Sequence, residues 1–274
     1  MTADVLTPGP GTQPGRTARY GPVAVAIADG VATATVDSPP VNAMGTAVLG
    51  GLGEAAAALA ADDDVRVVVL TGTGTKAFMA GADIEEFTSV LAAPGGMAAH
   101  AAWAGGVLAA WADLPQPLIA AVQASAVGGG LEIALAADLI VADPAARFGL
   151  PEVKLGLIPG GGGTQRLPRR VGTARALRMM LLGSVVRADE ALATGLVDEV
   201  AGPGEALAVA QALAARIAAM PRVAVQALKR CVDPDLGAAV TEERRIFLEV
   251  AAAADFAEGI AAFTEKRAPV FTHR

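Results

Sequence analysis

Three short apolar runs constrain this chain more than any other feature. VRVVVLTG at 65–72, LIAAV at 118–122 and DLIVA at 138–142 have the length of strands and carry few polar residues. A strand with one wet face alternates apolar and polar side chains, whereas a continuous run needs cover on both faces. Helical spacing fills the intervals between and after these runs. The expected class is therefore α/β, with strands joined through β-α-β crossovers.

The remaining elements follow from local chemistry. VAVAIA (23–28) and VATATV (31–36), split by Asp29-Gly30, predict a hairpin with a tight turn. Asn42 is placed to cap an alanine-rich helix over 43–61, and the Asp62-Asp63-Asp64 run reads as a solvated turn. Segment 88–100 is alanine-rich and broken by Pro and Gly, and reads as a mobile loop beside a cleft. Beyond about 160 the spacing predicts helices at 173–182, 188–194, 204–219, 221–231, 241–251 and 253–266. The first residues, rich in Pro, Gly and Thr and without the apolar stretch of a signal peptide, are expected to be a disordered extension over 1–19.

Charge and composition narrow the function. A net charge of −7 and 4% aromatics offer little to a nucleic acid, so an RNA-binding module is disfavoured. No run of about 20 apolar residues is free of charge, which argues against a membrane span. The single cysteine, Cys231, has no internal partner for a disulfide, and a cytoplasmic location is expected. His100 and His273 lack metal-ligand spacing and read as surface residues, so no metal is expected. Ser125 sits in no nucleophile elbow, and Gly160–Gly163 is followed by Thr164-Gln165-Arg166 rather than the Lys-Ser/Thr of a phosphate loop. Trp103, Leu108 and Trp111 read as core or pocket wall.

Two segments share a design. KAFMAGADIEEF (76–87) and ASAVGGGLEIAL (124–135) each run from a strand through glycine into a helix start, with Asp83 placed to cap the first helix. Helix starts carry amides with no intrahelical acceptor, and two such amides converging would make an oxyanion hole. Either segment alone is equally an ordinary glycine before a helix. Glu132 and Glu152 stand in apolar surroundings, where a carboxylate is costly unless paired or functional. Each is also readable as a helix-start glutamate facing the helix dipole.

Taken together, SPPVNAM (38–44), VVVLTGTGTKAFMAGADIEEF (67–87), PLIAAVQASAVGGGLEIALAADLIVA (117–142), RFGLPEVKLGLIPGGGGTQRLPRRVG (147–172) and FTEKRAPVF (263–271) resemble the enoyl-CoA hydratase/isomerase (crotonase) superfamily. The pattern is closest to the two-glutamate enoyl-CoA hydratases. The resemblance implies a ββα spiral core over 20–205 and a C-terminal helical region, 206–274, that makes trimers or pairs of trimers. It places oxyanion-hole amides at Ala82 and Gly129 and the catalytic carboxyls at Glu132 and Glu152. It also assigns CoA or substrate contacts to Ala80, Asp83, Ile84, Gly160, Phe263 and Lys266, the last two reaching a neighbouring subunit. No cofactor is implied, because coenzyme A is part of the substrate. The expected reaction is reversible syn hydration of a trans-2-enoyl-CoA, with a Δ3,Δ2-enoyl-CoA isomerase or another acyl-CoA lyase as alternative. Two departures stand out: Pro40 replaces a basic residue common in the family, and Gln123-Ala124 replaces Asn-Gly.

Overall fold

The computed structural model describes residues 15–232, 236–252 and 254–270. The expected hairpin forms, with β2 (Val23–Ala28) paired antiparallel to β3 (Val31–Val36), and β1 (Arg16–Tyr20) adds an edge strand to it. Asp29 and Gly30 both have positive φ, 52° and 80°, which matches the right-handed twist of the paired strands. Residues 16–19, expected in the extension, therefore belong to a sheet, while 1–14 lie outside the described residues, as does His273.

The three apolar runs become β4 (Val67–Gly72), β6 (Leu118–Val122) and β8 (Leu139–Ala142). Together with β11 (Glu199–Val200) they extend the hairpin into a seven-stranded sheet, ordered β1-β2-β3-β4-β6-β8-β11 and parallel from β3 onward. A second sheet, ordered β10-β9-β7-β5, holds β5 (Ala77–Met79), β7 (Ser125–Val127), β9 (Arg147–Gly149) and β10 (Val185–Arg187). The chain alternates between the sheets: β4 then β5, β6 then β7, β8 then β9. Each pair is followed by helix, which is the ββα spiral.

The helices are α1 (Thr46–Ala60), α2 (Ile84–Ala92), α3 (Gly96–Ala112), α4 (Gly129–Leu135), α5 (Gly163–Val171), α6 (Thr173–Leu182), α7 (Ala188–Ala193), α8 (Ala206–Ala218), α9 (Arg222–Cys231), α10 (Leu236–Ala251) and α11 (Ala254–Thr264). Period-two geometry explains why β4 and β6 are apolar throughout. Val68, Leu70, Leu118 and Ala120 join the main core, while Val67, Val69, Ile119 and Ala121 point to the other face. There Ala210, Ala214 and Ala218 of α8, four residues apart, let the helix lie close on the sheet. Thus α8 completes the core of the spiral, although the sequence grouped it with the assembly region. Among the described residues no single helix is long and apolar enough to cross a membrane.

Two local expectations are corrected. Asn42 does not cap α1; it has φ 53°, its Oδ1 accepts from Ser38 N, and its Nδ2 donates to the carbonyls of Thr73, Ala77 and Phe78. It ties the 38–44 segment to the β4–β5 connection. The α1 start is served from another helix, the Glu86 carboxylate of α2 accepting from Thr46 N and Oγ1 at 2.8 and 2.7 Å. The 88–100 loop is instead the end of α2 and the start of α3, interrupted only around Pro94-Gly95. High alanine propensity prevailed over the breakers, which are confined to one turn with Gly95 at φ 64°.

Candidate active site

Two glycine corners, one from each of two turns of the spiral, meet over a cavity of about 400 Å³. In the first, the chain leaves β5 through Ala80-Gly81-Ala82-Asp83 and enters α2. Ala80 N donates to Val41 O and Met44 N to Gly81 O, so the 38–44 segment laces the corner down. Asp83 caps α2 as expected, its side chain accepting from Glu85 N at 3.0 Å. In the second corner, β7 runs through Gly128 into Gly129, the first residue of α4.

Close approach explains the glycines. A Cβ on Gly81 (φ 90°) would sit 2.8 Å from Val127 O and 3.3 Å from Gly129 N. A Cβ on Gly130 would collide with Met79 O at 1.8 Å, so α4 can pack on β5 only without one. A Cβ on Gly129 would lie 3.8 Å from Ala82 N, which shows how near the corners come. Ala82 and Gly129 both line the cavity, and among the described residues neither amide donates to another backbone carbonyl. Two free donors at one place suit an oxygen that gains negative charge.

Below the corners lie two carboxyl groups. Glu132, in the first turn of α4, is 5% exposed. Its Oε1 accepts from Gly161 N at 2.7 Å and Gly163 N at 2.9 Å, leaving Oε2 unengaged by any described residue. Burial raises its pKa, while those two amides and the Arg166 guanidinium pull it back down. Glu152 opens the 3₁₀ turn Glu152–Leu155, and its Oε2 is buried without a partner. A Cβ on Gly128 would sit 3.3 Å from Glu152 Oε1, which places that carboxyl under the second corner. Burial and the negative charge of Glu132 hold Glu152 well above the usual carboxylate range. One carboxyl is therefore braced for the anionic form and the other is pushed toward the acid form.

Sequence reasoning missed another buried carboxyl beside these two. Glu243 on α10 is 2% exposed and accepts from Gly162 N, Thr164 N and Thr164 Oγ1. Burial, then Glu132, raises its pKa to about 7 against the hydrogen bonds from Thr164 and Gly162. It stands in the charged run TEERR, in the helix expected over 241–251, and drew no separate reading there. The available signal was its spacing from Val240 and Phe247, both buried, which puts it on the apolar stripe of the helix.

The other expected residues divide. Ala80, Ile84, Gly160 and Phe263 line the cavity. Neither Asp83, its side chain serving the α2 cap, nor Lys266, exposed past the end of α11, is among the lining residues. His100, expected at the surface, is half-buried in the cavity wall, edge-on to Phe87 and Trp103. Burial lowers its pKa, with Glu86 acting the other way. Trp111 is core, its indole N–H donating to Leu52 O, whereas Trp103 is 39% exposed. Gln123 donates to Ala77 O at 3.1 Å, so the residue replacing the family's Asn ties β6 to β5.

The chain as a whole is similar to known proteins. Residues 26–274 match the family model described as enoyl-CoA hydratase/isomerase. The chain is 40% identical over 240 residues to a probable enoyl-CoA hydratase of Mycobacterium tuberculosis, covering 85% of this chain and 90% of that protein. It is 38% identical over 245 residues to a short-chain-enoyl-CoA hydratase of Clostridium acetobutylicum, covering 86% and 92%. Among solved structures, a carnitinyl-CoA hydratase from Mycobacterium avium superposes with a TM-score of 0.83 at 37% identity, covering 93% of this chain and 99% of that one.

Proposed function

The chain belongs to the enoyl-CoA hydratase/isomerase family, and from that premise we propose that it is an enoyl-CoA hydratase. It adds water reversibly and on one face to a trans-2-enoyl-CoA, giving a 3-hydroxyacyl-CoA. The thioester carbonyl lies between Ala82 N and Gly129 N. As water attacks Cβ, charge moves onto that oxygen, where the two amides stabilise it most. The free Oε2 of Glu132 takes a proton from the water, and Glu152, kept in its acid form, delivers one to Cα on the same side. The two carboxyls titrate as a pair, so each role describes one protonation arrangement of that pair.

The observation that carries this reading is the different bracing of the two carboxyls. An isomerase moving one proton between carbons needs Glu152 alone and leaves the anchored Glu132 without work. The test is a panel of short- to long-chain trans-2-enoyl-CoA thioesters followed by loss of enoyl absorbance, with the 3-enoyl isomers as comparison. Turnover of 3-enoyl substrates without hydration of the 2-enoyl ones would favour the isomerase.

A trimer-based assembly belongs to the same proposal. Its support is the apolar surface left open at Leu177, Leu181 and Leu182 of α6 and at Phe263, together with the exposure of Lys266. Coenzyme A esters are intracellular metabolites, so a cytoplasmic setting goes with it, and cell fractionation tests that part.

A further inference from the structure

Hydration as described uses Glu132 and Glu152, and a further buried glutamate beside them, Glu243, is held in a distinctive way. From Gly161 into the first turn of α5 the chain presents four consecutive amides. Gly161 N and Gly163 N donate to Glu132 Oε1. Gly162 N donates to Glu243 Oε1, and Thr164 N and Oγ1 donate to Glu243 Oε2. Successive amides therefore alternate between two carboxylates on opposite sides of one short segment.

The segment has little room to move on its own. Gly162 sits at φ 106°, a conformation side-chain-bearing residues rarely adopt. A Cβ on Gly161 would come 2.8 Å from Glu132 Oε2, and one on Gly163 would come 3.0 Å from Glu132 Oε1. Arg166, one turn into α5, donates from Nη1 to Gly161 O at 2.9 Å and braces the same loop. Rotating the amides away from Glu243 would thus turn the Gly161 and Gly163 amides away from Glu132.

We propose that Glu243 is a positioning residue for hydration, which holds the 160–164 loop from behind and through it fixes the Glu132 carboxylate toward the water. The inference rests on the reading of Glu132 as the group that activates water. Glu243 does not line the cavity and touches no reacting atom. Its effect passes through two backbone amides, so it belongs to the rate of the chemical step and not to thioester binding.

The test compares Glu243→Gln in the wild-type and Glu132→Gln backgrounds, on full-length protein with a short trans-2-enoyl-CoA. Glutamine keeps the shape and one acceptor oxygen but presents an NH₂ where the other oxygen accepted. The expected result is a fall in kcat of about tenfold to a hundredfold with KM within about twofold, since small displacements of a catalytic group cost that much. In the Glu132→Gln background the same change is expected to alter kcat by less than about twofold, because the group it positions is already disabled. Should Glu243→Gln fold poorly, Thr164→Val removes a single donor to Glu243 and is expected to lower kcat alone, with Thr164→Ser restoring it. A Glu243→Gln enzyme with unchanged kcat, or one losing equal activity in both backgrounds, overturns the positioning role. If Glu132→Gln itself retains normal hydration, it is the assignment of Glu132 that fails, and the inference falls with it.

Discussion

Glu132 lies near enough to Glu152 that its negative charge adds to burial in raising the Glu152 pKa well above the usual carboxylate range. Glu132 is raised by burial too, but two amides and the Arg166 guanidinium hold it back, so the shared cavity favours the acid form more strongly at Glu152. This asymmetry is the electrostatic content of the proposed mechanism.

It sets the pH dependence of activity. Hydration needs Glu132 ionised and Glu152 protonated, so kcat/KM should rise as the first proton leaves the pair and fall as the second leaves. Both limbs should lie above the ordinary carboxylate range, because burial raises both groups. A profile that stays flat toward high pH would show that no protonated carboxyl takes part.

Stability should run against activity at Glu152. A carboxyl whose folded pKa is raised binds more protons folded than unfolded, so its contribution is intact below the unfolded value near 4.5 and is lost as pH rises through the raised value. Glu243 adds the same trend between about 4.5 and about 7. Thermal unfolding should therefore occur at lower temperature at pH 8 than at pH 5.5. Glutamine at 152 resembles the acid form and leaves no buried charge. Glu152→Gln should raise the melting temperature at pH 8 by roughly 2–4 °C, with a smaller gain at pH 5.5. Calorimetry at the two values checks it, and equal shifts at both would contradict the buried-charge argument.

The paired amides make a spectroscopic prediction. If Ala82 N and Gly129 N both donate to the thioester oxygen, the infrared carbonyl stretch of a bound, unreactive acyl-CoA thioester should move to lower frequency than in water. Gly128→Ala strains the corner, because Gly128 has φ 57° and ψ −131°. That variant should shrink the shift and slow the reaction together. An unshifted carbonyl in the wild-type complex would remove the oxyanion hole from the mechanism.

Assembly is tested through Lys266. The lysine is exposed and is not among the residues lining the cavity of its own chain, and Pro40 supplies no charge where the family often has one. Lys266→Ala should raise KM for CoA thioesters with kcat nearly unchanged, and the effect should fade as salt rises. Light scattering should give a trimer or a pair of trimers. A fully active monomer would rule out a contact across subunits.

The strands of the larger sheet were legible because those needing cover on both faces advertised themselves as unbroken apolar runs, whereas the spiral itself followed only from the family resemblance. The two glycine corners were legible only as possible helix starts, and it is the structure that shows why Gly81 and Gly130 must be glycine, each lying close against neighbouring backbone. What stayed hidden was long-range. Asn42 looked like a cap because capping is a local pattern, while its actual acceptors are Thr73, Ala77 and Phe78, more than thirty residues away. Glu243 looked like one more charge in TEERR, and its partners lie about eighty residues earlier. His100 joined the cavity wall only because α3 is continuous through the alanines that had suggested a loop.

The most direct measurement is the hydration rate of Glu132→Gln on a trans-2-enoyl-CoA substrate, beside wild type and Glu152→Gln. Each single substitution should lower kcat by about 10²–10⁴-fold, and the double variant should be little worse than either, since the two carboxyls act as one unit. A Glu132→Gln enzyme that hydrates at near the wild-type rate would contradict the two-carboxylate mechanism and leave Glu152 as the sole proton carrier.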